Sequence, residues 1–266
     1  MKTKLFLLIV LFQTLNTLIS AQQISEKWRN VNQDFEGFGY QIQAASDGFV
    51  YVFGEHYNST GIDIFIKKFD IVGNEIWSKI YNNYPEKSIS PYQMTIENNF
   101  IYILGSISNS TITNNNDLLV IKYTTSGLFL WDAIYTNPDN SNNSPKKIFV
   151  KNGIVYIAGY IGQYFNNTDI GIIKYDFNGI FQWAKRYGNT WNTNDNVTDL
   201  QLDSQNNIYI AGFSKTDASS SSNLFIQKYT PSGNLIWTRG FVNPNYNSPD
   251  YYNYVTMLID SSKYIY

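Results

Sequence analysis

The sequence predicts an all-β protein, a β-propeller of four-stranded antiparallel blades, because one pattern recurs with a period of about 53 residues. The motif Gly-x-x-x-Trp ends at Trp77, Trp131, Trp183 and Trp237, which gives spacings of 54, 52 and 54 residues. Units of this length with four short strands are typical of propeller blades, whereas the coils of a β-helix take about 20 residues.

Two further sequence motifs recur, and the three motifs follow one another in the same order in every repeat. One is an alternating strand that ends in glycine, at residues 49–54, 101–105, 155–159 and 208–212. The other is an aliphatic stretch followed by lysine and an aromatic residue, at Lys68-Phe69, Lys122-Tyr123, Lys174-Tyr175 and Lys228-Tyr229. Three motifs that each occur in four copies are not a chance pattern. No stripe of apolar residues with helical spacing accompanies them.

Each repeat reads as four strands. The Lys-aromatic strand enters a turn that ends in glycine, which predicts a type I turn closed by a glycine at positive φ. The next strand carries the tryptophan and, four residues on, Tyr81, Tyr135, Tyr187 or Phe241, so both rings lie on one face. After a polar loop we expect third strands at 93–97, 147–150, 198–202 and 255–259, each followed by the glycine-ended strand.

The first residues have the pattern of a secretory signal peptide. Lys2 and Lys4 precede the apolar run 5–12, and Ala21 offers a small residue at the cut. We therefore predict a signal peptide over residues 1–21, a β-propeller repeat domain over 22–266, and a secreted or cell-surface product without a membrane span after cleavage. An uncleaved anchor is the alternative.

Counting strands predicts an incomplete ring. Trp28 to Gly54 supplies three strands and each later repeat four, which makes 3 + 16 = 19, one short of five blades. About 4.75 repeats predict a partial or truncated ring, incomplete at the C-terminus, seen as an open arc or a strained five-blade ring.

Composition excludes several classes of site. The chain of 266 residues has no cysteine, one histidine and a formal net charge of −2. Disulfide scaffolds, thiolate zinc sites and cysteine nucleophiles are excluded, as are sites built from several imidazoles. The basic field of a nucleic-acid binder is absent, so no nucleic-acid partner is expected.

The repeat resembles the SBBP family of β-propeller repeats. The resemblance is clearest from Ile173-Lys174-Tyr175-Asp176 to Tyr187 and over residues 207–212, and it covers the predicted mature chain. It implies an exported or surface-displayed propeller and brings no catalytic residues. The motif Gly-x-x-x-Trp also looks like the docking motif of pyrroloquinoline-quinone dehydrogenase propellers. The metal-binding carboxylates and the quinone pocket of those enzymes are not found in this sequence.

Few residues stand out as candidates for chemistry. His56 is expected in a surface loop, without an oriented partner. A cation-binding ring of Asp63, Asp117 and Asp169 is weighed against strand-start roles, which we favour because the fourth copy has Asn223. A further acidic set does not match the spacing of an EF-hand loop: Asp195, Asp199 and Asp203.

The four repeated lysines have two interpretations. They could line a positive central funnel for anionic ligands, or their stems could run along apolar surface with the ammonium over a Trp or Tyr ring. We favour the second. Five Asn-x-Ser/Thr sequons, all expected in loops, are possible glycosylation sites: Asn58, Asn109, Asn142, Asn166 and Asn196.

These observations predict a non-enzymatic, exported propeller that serves as a binding or scaffold module for a protein or glycan partner. No catalytic, cofactor-binding or metal-binding residue is assigned, and no cofactor is expected. The alternatives are the scaffold of a quinone- or metal-dependent extracellular enzyme, or a structural spacer in a larger surface protein. Contacts are expected from the loop aromatics Trp191, Tyr246, Tyr251 and Tyr252.

Overall fold

The structure is a computed structural model that describes residues 36–59, 61–109, 116–138, 142–163, 169–187, 195–215, 222–241, 255–260, 262 and 264–266. In these ranges the chain forms sixteen strands in four antiparallel sheets of four strands each. The predicted signal peptide and Trp28 lie outside them.

The four sheets follow one another along the chain as blades one to four. Blade one is β1 (Gly37–Ala44), β2 (Val50–Tyr57), β3 (Ile62–Phe69) and β4 (Glu75–Tyr81). Blade two is β5 (Lys87–Glu97), β6 (Phe100–Asn109), β7 (Asn116–Thr124) and β8 (Phe129–Tyr135). Blade three is β9 (Asn142–Lys151), β10 (Ile154–Gln163), β11 (Ile170–Tyr175) and β12 (Phe181–Tyr187). Blade four is β13 (Asn196–Leu202), β14 (Ile208–Lys215), β15 (Ser222–Tyr229) and β16 (Leu235–Phe241).

Within each blade the strands pair in chain order, and the first strands of successive blades contact each other. These inner strands are β1, β5, β9 and β13, while the tryptophan-bearing strands form the outer edges. The all-β, blade-based prediction is confirmed at this level. Each sheet begins two strands later than the sequence repeat defined above. The reason is that the chain passes from one blade to the next in the long polar loop after the tryptophan-bearing strand.

Residues 255–266 continue the pattern of the inner hairpin. The backbone N–H of Asp260 donates to the carbonyl of Tyr264, as that of Asp203 does to Asn207. The strand predicted at 255–259 is not formed, because its only strand-type pairing among the described residues is an isolated bridge from Ile259 to Ile265. Within the described ranges, no helix is long and apolar enough to cross a membrane.

The glycines predicted to end a strand lie inside β2, β6, β10 and β14, so that part of the prediction is wrong. The strands continue past each glycine because it faces an irregular point of the inner strand, where a backbone carbonyl comes close. A β-carbon would lie 1.9–2.9 Å from that oxygen at Gly54, Gly105, Gly159 and Gly212. Close approach, and not an end of pairing, requires glycine here.

The turn glycines join neighbouring blades. Each adopts the predicted positive φ, between 77° and 91°, at Gly73, Gly127, Gly179 and Gly233. The last three lie against the tryptophan ring of the preceding blade. A β-carbon would be 3.2 Å from Trp77 at Gly127, 2.7 Å from Trp131 at Gly179 and 3.0 Å from Trp183 at Gly233. The motif Gly-x-x-x-Trp therefore supplies both partners of a repeated blade–blade contact, the glycine from one blade and the tryptophan from the blade before it.

The repeated lysines reach the same turn. The Lys122 ammonium and the Trp131 indole N–H both donate to the carbonyl of Phe177, at 2.9 and 3.1 Å. In blade one the corresponding lysine and tryptophan share the carbonyl of Thr125. Each ammonium also lies within 6 Å of an aromatic ring, as preferred in the sequence analysis: Lys68, Lys122, Lys174 and Lys228.

Lys122 is the most deeply buried of the four repeated lysines, since its side chain is fully inaccessible to solvent. Its ammonium lies 3.3 Å from the ring centroid of Phe177 and 4.3 Å from that of Phe100. Lys68 and Lys228 instead meet the carboxylates of Asp47 and Asp203. Burial lowers the pKa of Lys122 to about 8.

We expect Gly179→Ala to destabilise the protein more than Gly48→Ala. Both glycines have positive φ, 77° and 81°, but a β-carbon at Gly48 has nothing within 4 Å, whereas one at Gly179 meets Trp131. The shared backbone strain costs about 1 kcal/mol, and the clash adds roughly 1–3 kcal/mol. Urea unfolding of both variants measures the difference, and equal losses would contradict the contact.

Lys122 should make stability depend on pH. Its pKa in the folded state lies below that of an unfolded lysine, so between pH 8 and 10 the unfolded chain binds more protons. The free energy of unfolding then rises with pH, by up to about 1.4 kcal/mol per pH unit, relative to Lys122→Met. Urea titrations at pH 7 to 9.5 measure this, with exposed Lys185→Met as the control. Parallel curves for wild type and Lys122→Met would contradict it.

Candidate functional site

Each inner strand carries a β-bulge at the same point. The pairing register with the second strand of the blade skips one residue there, and the extra side chain is turned out of the ladder. The four extra residues are Tyr40, Tyr92, Lys146 and Thr198. Because the inner strands contact each other, the bulges bring side chains from different blades together.

The residue after each bulge ties its blade to the next. Gln41 accepts from the backbone N–H of Met94 and donates to its carbonyl, and Gln93 accepts from the N–H of Ile148. Asp199 accepts from the N–H of Met257, at 2.7 Å.

In blade three the corresponding residue is Lys147, whose ammonium lies 3.6 Å from Asp199. Asp199 is buried and also accepts from the N–H of Leu200. Links between neighbouring strands thus form a rigid support beneath the bulges.

Five side chains at or near the bulges form what we call the tyrosine–lysine surface: Tyr40, Glu55, Tyr92, Lys146 and Tyr160. The Tyr40 hydroxyl donates to Glu55 at 2.9 Å, and Tyr40 is close enough to Tyr92 for the two to interact electrostatically. The Lys146 ammonium lies 5.9 Å from the Tyr92 ring centroid and 4.9 Å from that of Tyr160. The surface spans blades one, two and three.

The polar groups of this surface are held in fixed positions. Glu55 is buried and accepts from the hydroxyls of both Tyr40 and Tyr57. The Tyr160 hydroxyl donates to Asn196. Burial, reinforced by Glu55, raises the pKa of Tyr40 to about 12, so its phenol stays a neutral donor at physiological pH. Tyr40 and Tyr92 remain 53% and 38% exposed, so their rings are open to a ligand.

The three aspartates weighed as a cation-binding ring have separate local contacts. Asp63 accepts from Asn58, Asp117 from Thr136, and Asp169 pairs with Arg186, each within its own blade. Among the described residues, no group of three histidines, cysteines or acids could hold a metal ion. The strand-start interpretation fits these contacts.

Two further candidates have local structural contacts. His56 lies in β2 and not in a loop, because it pairs with Asp63 of β3, and its Nδ1 is 4.0 Å from that carboxylate. Asp203 caps the turn after β13 by accepting from the N–H groups of Gln205 and Asn207.

The sequons were expected in loops, and three of them lie at strand ends instead. Asn109 ends β6, Asn142 begins β9 and Asn196 begins β13, because pairing extends beyond the bulges and inner glycines. Asn58 follows β2 in a turn and its amide donates to Asp63. Asn166 lies outside the described residues, as do the loop aromatics Trp191, Tyr246, Tyr251 and Tyr252.

Sequence reasoning missed the bulge residues and the residues that follow them. In three copies the bulge residue and its successor read Tyr-Gln, Tyr-Gln and Lys-Lys, and in the fourth Thr-Asp. A signal was available, since each bulge residue lies 13 or 14 residues before the second-strand glycine, but the chemistry changes between copies. Comparison by position, and not by residue type, finds them.

Comparisons with known proteins give no family for this chain. No family model matches it, and no curated protein matches it. The resemblance to the SBBP family therefore stays a prediction.

The solved structures that match this chain include carbohydrate-active enzymes. A GH43 β-1,3-galactosidase with galactodeoxynojirimycin matches at TM-score 0.43 and 10% identity, over 76% of this chain and 75% of that one. A β-1,2-mannobiose phosphorylase from Listeria innocua matches at TM-score 0.30 and 9% identity, over 83% and 64%. At these values the likenesses transfer no substrate and no site residue.

The predictions of a non-enzymatic binding or scaffold module, and of a chain that is not an enzyme, are contradicted by this comparison. The matched structures are a galactosidase and a phosphorylase. The repeated motifs of the sequence report packing and turns, whereas the candidate site lies at bulge positions whose residues differ between blades.

Asp199→Ala should destabilise the protein by about 3 kcal/mol, because it leaves the Lys147 ammonium and the Met257 N–H without their partner. Glu75→Ala is the matched control, since Glu75 pairs with Lys67 near the surface and its loss should cost under about 1 kcal/mol. Urea unfolding measures both. Similar losses in the two variants would refute the supporting role of Asp199.

Proposed function

We propose that the chain is a glycan-active enzyme and that the tyrosine–lysine surface binds its sugar. The observation that carries the proposal is that the exposed rings of Tyr40 and Tyr92 lie at the bulges of neighbouring inner strands, with the Tyr40 hydroxyl on Glu55 and the Lys146 ammonium 5.9 Å from the Tyr92 ring centroid. Sugars present flat C–H faces edged by hydroxyls. Exposed tyrosine rings offer large, rigid apolar faces at a low cost in entropy, and their hydroxyls donate and accept hydrogen bonds.

Two carboxyl groups, one within this surface and one beside it, are the candidates for catalysis. Hydrolysis of a glycosidic bond uses one carboxyl as general acid and a second as base or nucleophile. Glu55 is held by two tyrosine hydroxyls on the blade-one side. On the blade-four side, Asp195 accepts from Ser214, and its charge adds to the effect of burial in raising the pKa of Tyr160. We assign Glu55 as base or nucleophile and Asp195 as its partner.

Export and blade number belong to the same proposal. A signal peptide over residues 1–21 would deliver the enzyme to extracellular glycans. Residues 255–266 repeat the inner-hairpin turn of blade four and pack Met257 against Tyr209, which supports their being the start of a fifth blade. The SBBP resemblance agrees with this arrangement.

Release of reducing ends from a panel of neutral and acidic oligosaccharides tests the proposal. Tyr92→Ala should raise KM about tenfold, and Glu55→Gln should lower kcat about a hundredfold or more with KM little changed. Phe241→Ala removes a ring that is also 53% exposed, but on an outer edge, and should change neither constant. No turnover of any glycan by the folded wild-type chain would overturn the proposal.

A further inference from the structure

Adjacent lysines on β9 have contrasting surroundings. The Lys147 ammonium lies 3.6 Å from the buried carboxylate of Asp199. Lys146 is half-buried, and within the described residues its ammonium makes no hydrogen bond and no ion pair. Its neighbours are the rings of Tyr92 and Tyr160. One lysine is neutralised by the protein and the other is not.

The rings compensate the charge of Lys146 only in part. A cation over an aromatic face gains about 0.5–2 kcal/mol, which is less than a desolvated ammonium loses. Burial lowers the pKa of Lys146, in agreement with this deficit. The Tyr160 hydroxyl is already engaged with Asn196, and the two carboxylates near the surface are engaged as well, Glu55 with Tyr40 and Asp195 with Ser214.

The positive charge of the tyrosine–lysine surface lies on blade three, between the rings of Tyr92 and Tyr160. At the bulge position the other three blades have the neutral side chains Tyr40, Tyr92 and Thr198. A ligand that lies across Tyr40 and Tyr92 would place one end against Lys146. An anionic group there would provide the counter-charge that the described residues do not supply.

We propose that Lys146 recognises an anionic group of the glycan, so that the enzyme acts on acidic sugars, bearing a carboxylate or a sulfate, in preference to neutral ones. This inference rests on the proposed function and specifies the substrate class of the same site. Lys146 is thus a specificity-determining residue. Tyr92 and Tyr160 position its ammonium, and the bulge turns it toward the ligand.

Calorimetric titration of the wild-type protein with trigalacturonate and with galactotriose tests the inference. We expect trigalacturonate to bind about tenfold more tightly, and the preference to shrink as salt is added. Lys146→Gln should remove the preference and leave galactotriose binding within about twofold, while Lys146→Arg should retain it. Lys185→Gln, an equal charge change on the outer strand β12, should change neither affinity.

The outcomes separate the two proposals. Equal binding of both sugars, unaffected by Lys146→Gln, would overturn the inference and leave the proposed function in place. Absence of binding by either sugar would overturn the inference, and turnover of the oligosaccharide panel then decides the proposed function separately. A sulfated galactose oligosaccharide shows which anionic group is preferred. Competition by free acetate at the same concentration would overturn the inference, since it would reveal a general anion site.

Discussion

A turn glycine placed flat against the tryptophan of the preceding blade is the contact on which the rest of the structure depends. The glycine leaves no room for a β-carbon, which would lie 2.7–3.2 Å from the ring in three successive interfaces. Next to it, a turn carbonyl accepts from the lysine of the same preceding blade. Because one motif supplies both partners, each blade that offers a tryptophan also offers a glycine turn, and the interface repeats along the chain.

This repetition explains why the architecture was predictable and the site was not. Strands, turns and the aromatic environment of the lysines follow from residue types that every copy shares. The bulges do not, because Tyr40, Tyr92, Lys146 and Thr198 share a backbone position and no chemistry. The inner glycines were misjudged as strand ends for a related reason: their cause is a carbonyl from another strand, which a single-strand pattern does not reveal.

Several lysine ammonium groups of this fold are buried or half-buried, and the groups that compensate their charges differ from blade to blade. Asp47 and Asp203 neutralise the lysines of blades one and four, aromatic rings surround Lys122 in blade two, and Asp199 serves Lys147. Among the described residues Lys146 has only the rings of Tyr92 and Tyr160 beside its ammonium, and in the proposed function a ligand supplies its counter-charge. Rigid blade packing matters here, because a bulge can present a half-buried ammonium only if the strands around it do not rearrange.

A double-mutant cycle between Trp131 and Gly179 tests the blade–blade contact most directly. If the methyl group of Gly179→Ala collides with the indole, Trp131→Leu provides space for it. The account predicts that in this background the cost of Gly179→Ala falls to that of backbone strain alone, which gives a coupling of about 1 kcal/mol or more. An unchanged cost, with the two substitutions additive, would contradict it.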